Sequence, residues 1–115
     1  MDWIPITSLK MLQDIKVESN NAPVIIFKHS TSCSISGMSK MRLEGSWKYQ
    51  GMKAYYLDLL SHRDISKAIA QEFSVHHESP QILMIHKEEC IYDASHFDIN
   101  VKELDETLEY HSLVV

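Results

Sequence analysis

The sequence predicts an α/β domain built on a central mixed sheet of four to five strands, with helices on both faces. Three observations lead there. Short apolar runs rich in β-branched and aromatic residues alternate with segments whose apolar residues recur every three to four positions. The last two strand-like runs are separated by only a few polar residues, which makes them a hairpin. The 115 residues suffice for one domain, residues 1–115, and no more.

The elements follow in order. Residues 8–17 read as a helix, with Leu9, Leu12 and Lys16 on or near one face, Met11 and Ile15 close by, and Ser8 as its N-cap. The run PVIIFK, 23–28, is almost continuously apolar, as expected of a strand buried on both faces. Pro23 stands at its start, where a missing N–H does little harm. Residues 34–44 place Ile35, Met38 and Met41 at helical spacing, and Gly45 reads as the C-terminal stop. KAYYLDL, 53–59, is a second strand, with Tyr55 and Tyr56 read as core packing. Residues 62–73 carry Ile65, Ile69 and Phe73 at intervals of four. QILMIH, 81–86, and CIYD, 90–93, are the third and fourth strands, joined by a turn at Lys87-Glu88-Glu89. Residues 98–110 set Val101, Leu104 and Leu108 on one side of a last helix. Asp98 is its expected cap, and Glu103, Asp105, Glu106 and Glu109 cover the remainder.

Helix, strand, helix, strand, helix, strand, strand, helix gives βαβ units closed by an antiparallel hairpin. The thioredoxin fold has this order and this length.

Composition narrows the function. Apolar residues make up 44% and charged residues 23%, the balance of a soluble globular chain. No apolar run approaches the ~20 residues of a membrane helix. MDWIPITSLK lacks the basic and apolar regions of a signal peptide, so the expected compartment is the cytoplasm. The net charge is −5 and the basic residues are scattered, which argues against a nucleic-acid partner. Two cysteines, Cys33 and Cys90, are too few for a disulfide framework or a thiolate zinc site. In a reducing cytosol both are expected as free thiols.

Cys33 lies in FKHSTSCSISGM, between the first predicted strand and the second predicted helix. Only a thiolate is a good nucleophile, and a helix N-terminus favours negative charge through its unpaired N–H groups and aligned peptide dipoles. Ser34 and Ser36 add hydroxyl donors. Lys28, His29 and Lys40 are positive or potentially positive neighbours in sequence, and His29 is the candidate for tuning the Cys33 pKa. A small inert core cysteine is the alternative, but a loop of Ser30, Thr31, Ser32, Ser34 and Ser36 is a poor setting for one.

The motif Cys33-Ser34-Ile35-Ser36 has one thiol. A dithiol enzyme resolves its mixed disulfide with a second cysteine; Ser36 cannot. An outside thiol must then release whatever Cys33 captures. That favours removing a small thiol from a modified protein over general disulfide reduction. Cys90 is the only internal resolver available and reads as a packed strand cysteine. A phosphatase loop is excluded, because the sixth position after Cys33 is Ser39 rather than Arg.

Pro80 opens a predicted strand within VHHESPQILMIH. In thioredoxin-like proteins a cis-proline opens the strand facing the active cysteine, and the residue before it, here Ser79, pairs with extended substrate. His76, His77 and Glu78 suggest a metal site, but adjacent histidines on extended backbone point to opposite faces, so no metal is expected.

With FKHSTSCSIS, YYLDLLSHRDISKAIAQEF, HESPQILMI and ASH on the page, the chain resembles the monothiol bacilliredoxin family, thioredoxin-like proteins of the bacillithiol system. The resemblance runs from about Val24 to about Ile99. It implies a thioredoxin fold and removal of bacillithiol from S-bacillithiolated proteins. It makes Cys33 the nucleophile, Ser36 the stand-in for the absent resolving cysteine, and Pro80 the cis-proline. Thr31, Ser32, Ser79 and Pro80 are the expected substrate-binding residues. Family members commonly have proline directly after the cysteine, where this chain has Ser34. No bound cofactor is expected. Bacillithiol or another low-molecular-weight thiol is the expected co-substrate, and S-thiolated proteins are the expected partners. The rival reading is a non-catalytic thioredoxin-like module that holds an extended peptide against Ser79-Pro80-Gln81.

Overall fold

A computed structural model describes every residue from Met1 to Val115. Five strands form one sheet: β1 (Trp3–Pro5), β2 (Val24–His29), β3 (Ala54–Asp58), β4 (Gln81–His86) and β5 (Glu89–Ser95), in the spatial order β1-β3-β2-β4-β5. β1, β2 and β3 run parallel, while β4 and β5 are antiparallel to their neighbours. The helices are α1 (Leu9–Glu18), α2 (Ser34–Ser46), α3 (Arg63–Glu72) and α4 (Val101–Tyr110), and a short 3-10 turn spans His96–Asp98. No helix is long and apolar enough to cross a membrane.

Strand geometry sorts the core into two layers, because successive side chains point to opposite faces. Val24 and Ile26 pack with Leu12 and Ile15 of α1 and Ile65 and Ile69 of α3. Ile25 and Phe27 pack with Leu43 of α2 and Leu104 and Leu108 of α4. All six residues of β2 are buried, so its sequence shows no polar alternation.

Several expectations change. β1 was not among the predicted runs; it is three residues long and ends in a proline. α2 passes through Gly45 to Ser46 and stops only where Trp47 turns extended. Asp98 lies in the 3-10 turn, and the side chain of Asn100 caps α4 by accepting from the Glu103 N–H. The hairpin turn is Lys87-Glu88, both at positive φ (54° and 67°), with Glu89 already in β5; a two-residue turn of this kind matches the twist of the strands it joins. Ser8 caps α1 as expected, accepting from Met11.

The largest change concerns α2. Met38 and Met41, read as an inward face, are 59% and 71% exposed. The buried positions are Ser36, Ser39 and Leu43. A serine can be buried here because each hydroxyl has a partner, Ser36 at the end of β2 and Ser39 at the carbonyl of His96, and a satisfied hydroxyl removes most of the cost of burial.

Candidate active site

The register of the sheet places the site. Lys28 on β2 lies opposite Gln81 on β4, and His29 lies opposite Asp58 on β3. The C-terminal end of β2 and the start of β4 therefore share one edge. Pro80 immediately precedes that start, and the Ser79–Pro80 peptide bond is cis. Cys33 follows the end of β2 after a turn closed by its own N–H to the carbonyl of Ser30, 3.2 Å away.

Cys33 is the N-cap of α2, in extended conformation and partly exposed. Its carbonyl accepts the first helical bond, from Gly37 at 3.2 Å. The first turn of α2 holds no acidic residue, and the Cys33 side chain makes no capping bond. The sulfur thus sits where the free N–H groups and the helix dipole favour an anion, with no carboxylate competing in that turn.

Ser36 faces the opposite way. It is fully buried. Its Oγ accepts from the Ser30 N–H at 3.1 Å and lies 2.6 Å from Nδ1 of His29. Burial, and then the charge of Lys40, hold His29 below the usual histidine range. His29 stacks on Phe27 and packs against Tyr56. His29, the candidate for tuning Cys33, is the last residue of β2, and its Nδ1 is engaged by Ser36 Oγ.

The two lysines also leave the picture drawn from sequence. Lys28 is fully buried on the other face of β2, with Nζ 2.7 Å from Nδ1 of His77 and 3.5 Å from the Ser66 carbonyl. Alternation along the strand sends Lys28 and His29 to opposite sides. Lys40 pairs with Glu44 at 3.0 Å and lies over the rings of Trp3 and Tyr56.

The remaining predicted residues are spread along the same edge. Thr31, Ser32 and Ser34 are exposed, and Ile35 is half-buried. Ser32 Oγ lies 3.2 Å from Ser30 Oγ. The Ser79 hydroxyl is buried with no hydrogen-bond partner. His76 is exposed, and its carbonyl accepts from the Gln81 amide.

Sequence reading passed over His96. Its N–H donates to the carbonyl of Pro80 at 3.0 Å, and its own carbonyl accepts from Ser39 of α2 at 3.2 Å. Its ring Nε2 lies 3.6 Å from Glu78. His96 thereby ties α2, the proline and the loop after β5 together, with φ at +55°. The sequence signal was the block ASH, which contributed to the family resemblance but was given no role.

Cys90 lies at the far end of the hairpin, paired with Ile85, while Pro80 and Gln81 are at the near end. Its Sγ–H donates to the Tyr92 carbonyl, and burial pushes the thiol up to about 12. Cys90 is protonated and remote from the Cys33 edge, so it cannot act as a resolving thiolate.

A family model described as monothiol bacilliredoxin matches residues 4–104. A solved structure provisionally described as an oxidoreductase with a thioredoxin fold is 31% identical, covering 91% of this chain and 92% of its own, with TM-score 0.81. A mutant thioredoxin from Halobacterium salinarum NRC-1 is 18% identical over 99% of this chain and 95% of its own, with TM-score 0.70. Thioredoxin from Trypanosoma brucei brucei is 11% identical over 96% of this chain and 91% of its own, with TM-score 0.76. The last two establish the fold: this is a thioredoxin-fold chain.

Proposed function

The chain belongs to the monothiol bacilliredoxin family, a family of thiol oxidoreductases, and from that premise we propose that it removes bacillithiol, or a similar low-molecular-weight thiol, from S-thiolated proteins. The observation that carries the reading is the contrast within one motif. Cys33 is offered at the start of α2, whereas Ser36 is locked inward by His29 and Ser30.

The chemistry is thiol–disulfide exchange in two steps. The Cys33 thiolate attacks the small-thiol sulfur of the protein mixed disulfide. A Cys33–small-thiol disulfide forms, the original bond breaks, and the protein sulfur leaves as a thiolate that takes up a proton from water. A second small-thiol thiolate then attacks the captured sulfur and restores Cys33 as a thiolate. That step yields the small-thiol disulfide. Cys33 is the catalytic residue. Ser79 and Pro80 would receive the extended protein segment, Ser79 through its backbone groups as in strand addition, and Thr31 and Ser32 would border it from the β2–α2 turn.

The test is multiple-turnover deprotection of a protein carrying one bacillithiol mixed disulfide, with free bacillithiol as the releasing thiol. Wild type and Cys90→Ser should deprotect at similar rates, and Cys33→Ser should fall to the uncatalysed rate. Full activity in Cys33→Ser would reject the assignment. A wild type no faster than buffer would favour a non-catalytic peptide-holding module.

A further inference from the structure

On the α1/α3 face of the sheet, away from α2, lies a cavity of about 330 Å³, bordered by Leu59, Arg63, Ser66, Lys67, Gln71 and His77. That volume is in the range of small-molecule pockets. Its position follows from the strand ends: the Leu59 N–H donates to the His29 carbonyl, so the cavity opens at the same end of the sheet as Cys33 but across it.

Its charge is unusual for this chain, whose net charge is −5. Arg63 and Lys67, one turn apart on α3, have no carboxylate within salt-bridge distance; Arg42, Lys87 and Lys102 are likewise unpaired, but only Arg63 and Lys67 border the cavity. Behind the wall stands Lys28, fully buried, with its ammonium on His77 Nδ1 and near the Ser66 carbonyl. His77 is its only side-chain partner. Glu78 is the acidic group whose field reaches Lys28 and His77, and its own carboxylate is directed to His96. Two cations thus border the concave surface without matching carboxylates, and a third, Lys28, is buried behind His77. Leu59 and Ala70 supply apolar wall beside them.

We propose that this cavity is a binding site for a small organic anion bearing a carboxylate or phosphate. Arg63 and Lys67 hold the anionic group, Ser66 and Gln71 offer polar contacts, and buried Lys28 adds a fixed positive field through His77. Arg63 presents the planar fork that suits either oxyanion.

The experiment is a titration of the isotope-labelled whole protein with inorganic phosphate and, separately, with succinate, followed by backbone amide shifts at constant ionic strength. Saturable shifts at Arg63, Ser66, Lys67 and His77 are expected, with the exposed pair changed to Arg63→Gln/Lys67→Gln weakening binding by about tenfold or more. Phosphate alone binding identifies a phosphate ligand, succinate alone a carboxylate ligand, and both the shared chemistry. Absence of saturation by either probe up to about 10 mM, or equal affinity in the double variant with an unchanged melting temperature, overturns the proposal.

Discussion

Ser36 Oγ lies 2.6 Å from His29 Nδ1 and 3.1 Å from the Ser30 amide nitrogen, so the last residue of the C-x-x-S motif joins the end of β2 to the first turn of α2. Its hydroxyl holds in place the loop that presents Cys33. The position does more than lack a thiol.

Ser36→Ala removes the acceptor of the buried Ser30 N–H and the partner of His29. An unpaired buried donor costs about 1–3 kcal/mol. Urea denaturation should show a loss of that order, and deprotection activity should fall through a loosened Cys33 loop. Unchanged stability would mean that the hydrogen bonds to Ser36 contribute little.

Lys28 makes a second prediction. Burial pushes its ammonium down to about 8 from 10.5. Between those values the unfolded chain binds more protons than the folded one, so this group's contribution to stability rises with pH through the window 8 to 10.5 and its cost is fully present below it. The cost is about 3 kcal/mol at pH 7. Lys28→Met should therefore raise stability at neutral pH by up to about that amount, and the advantage over wild type should shrink as pH climbs through the window. Comparing the two proteins cancels the tyrosines, whose raised values act in the opposite sense. A constant difference across that window would contradict the assignment.

His77 carries the acid side of the same pair. Burial, then the charge of Lys28, hold it below the usual histidine range. The unfolded chain then binds the extra proton first, so this contribution is lost as pH falls below about 6.5. His77→Gln should flatten the mild acid dependence of the melting temperature near that pH.

The two cysteines should separate under brief alkylation at neutral pH. Cys33 is partly exposed at a helix start, whereas the Cys90 thiol is pushed up to about 12. Peptide mapping should find the label on Cys33, with Cys90 modified only after unfolding. Comparable labelling of both would place Cys90 within the reactive site.

On α2, Met38→Gln and Met41→Gln should each change stability by no more than about 0.5 kcal/mol. Leu43→Ala, at a fully buried position, should cost about 2–5 kcal/mol. Calorimetry of the three variants distinguishes the observed helix face from the one that periodicity suggested.

The sheet was legible because β2 and β4 are buried runs of branched residues, and because Lys87-Glu88 leaves room only for a hairpin. β1 escaped notice because three residues ending in Pro5 carry no periodicity. α2 misled because its inward side is polar: Ser36 and Ser39 look like surface residues until their partners, in β2 and the His96 turn, are known. Lys28 misled for a similar reason. A lysine five residues from Cys33 reads as a neighbouring charge, yet strand alternation turns it to the other face and buries it against His77. Cys33 and Ser36 stand out as a C-x-x-S motif after a strand, whereas the cis bond at Pro80 is suggested only by the fold context; the contacts of Ser36, His29 and His96 join distant segments.

The central claim is that Cys33 alone accepts the small thiol from a modified protein. Intact-mass spectrometry of a single-turnover mixture, with enzyme in excess over a bacillithiolated protein and no free thiol, tests it directly. The account predicts that the modified protein loses one bacillithiol while the enzyme gains one, mapped to Cys33 and absent in Cys33→Ser. An enzyme that gains no adduct while the substrate stays modified, or an adduct carried by Cys90, would contradict it.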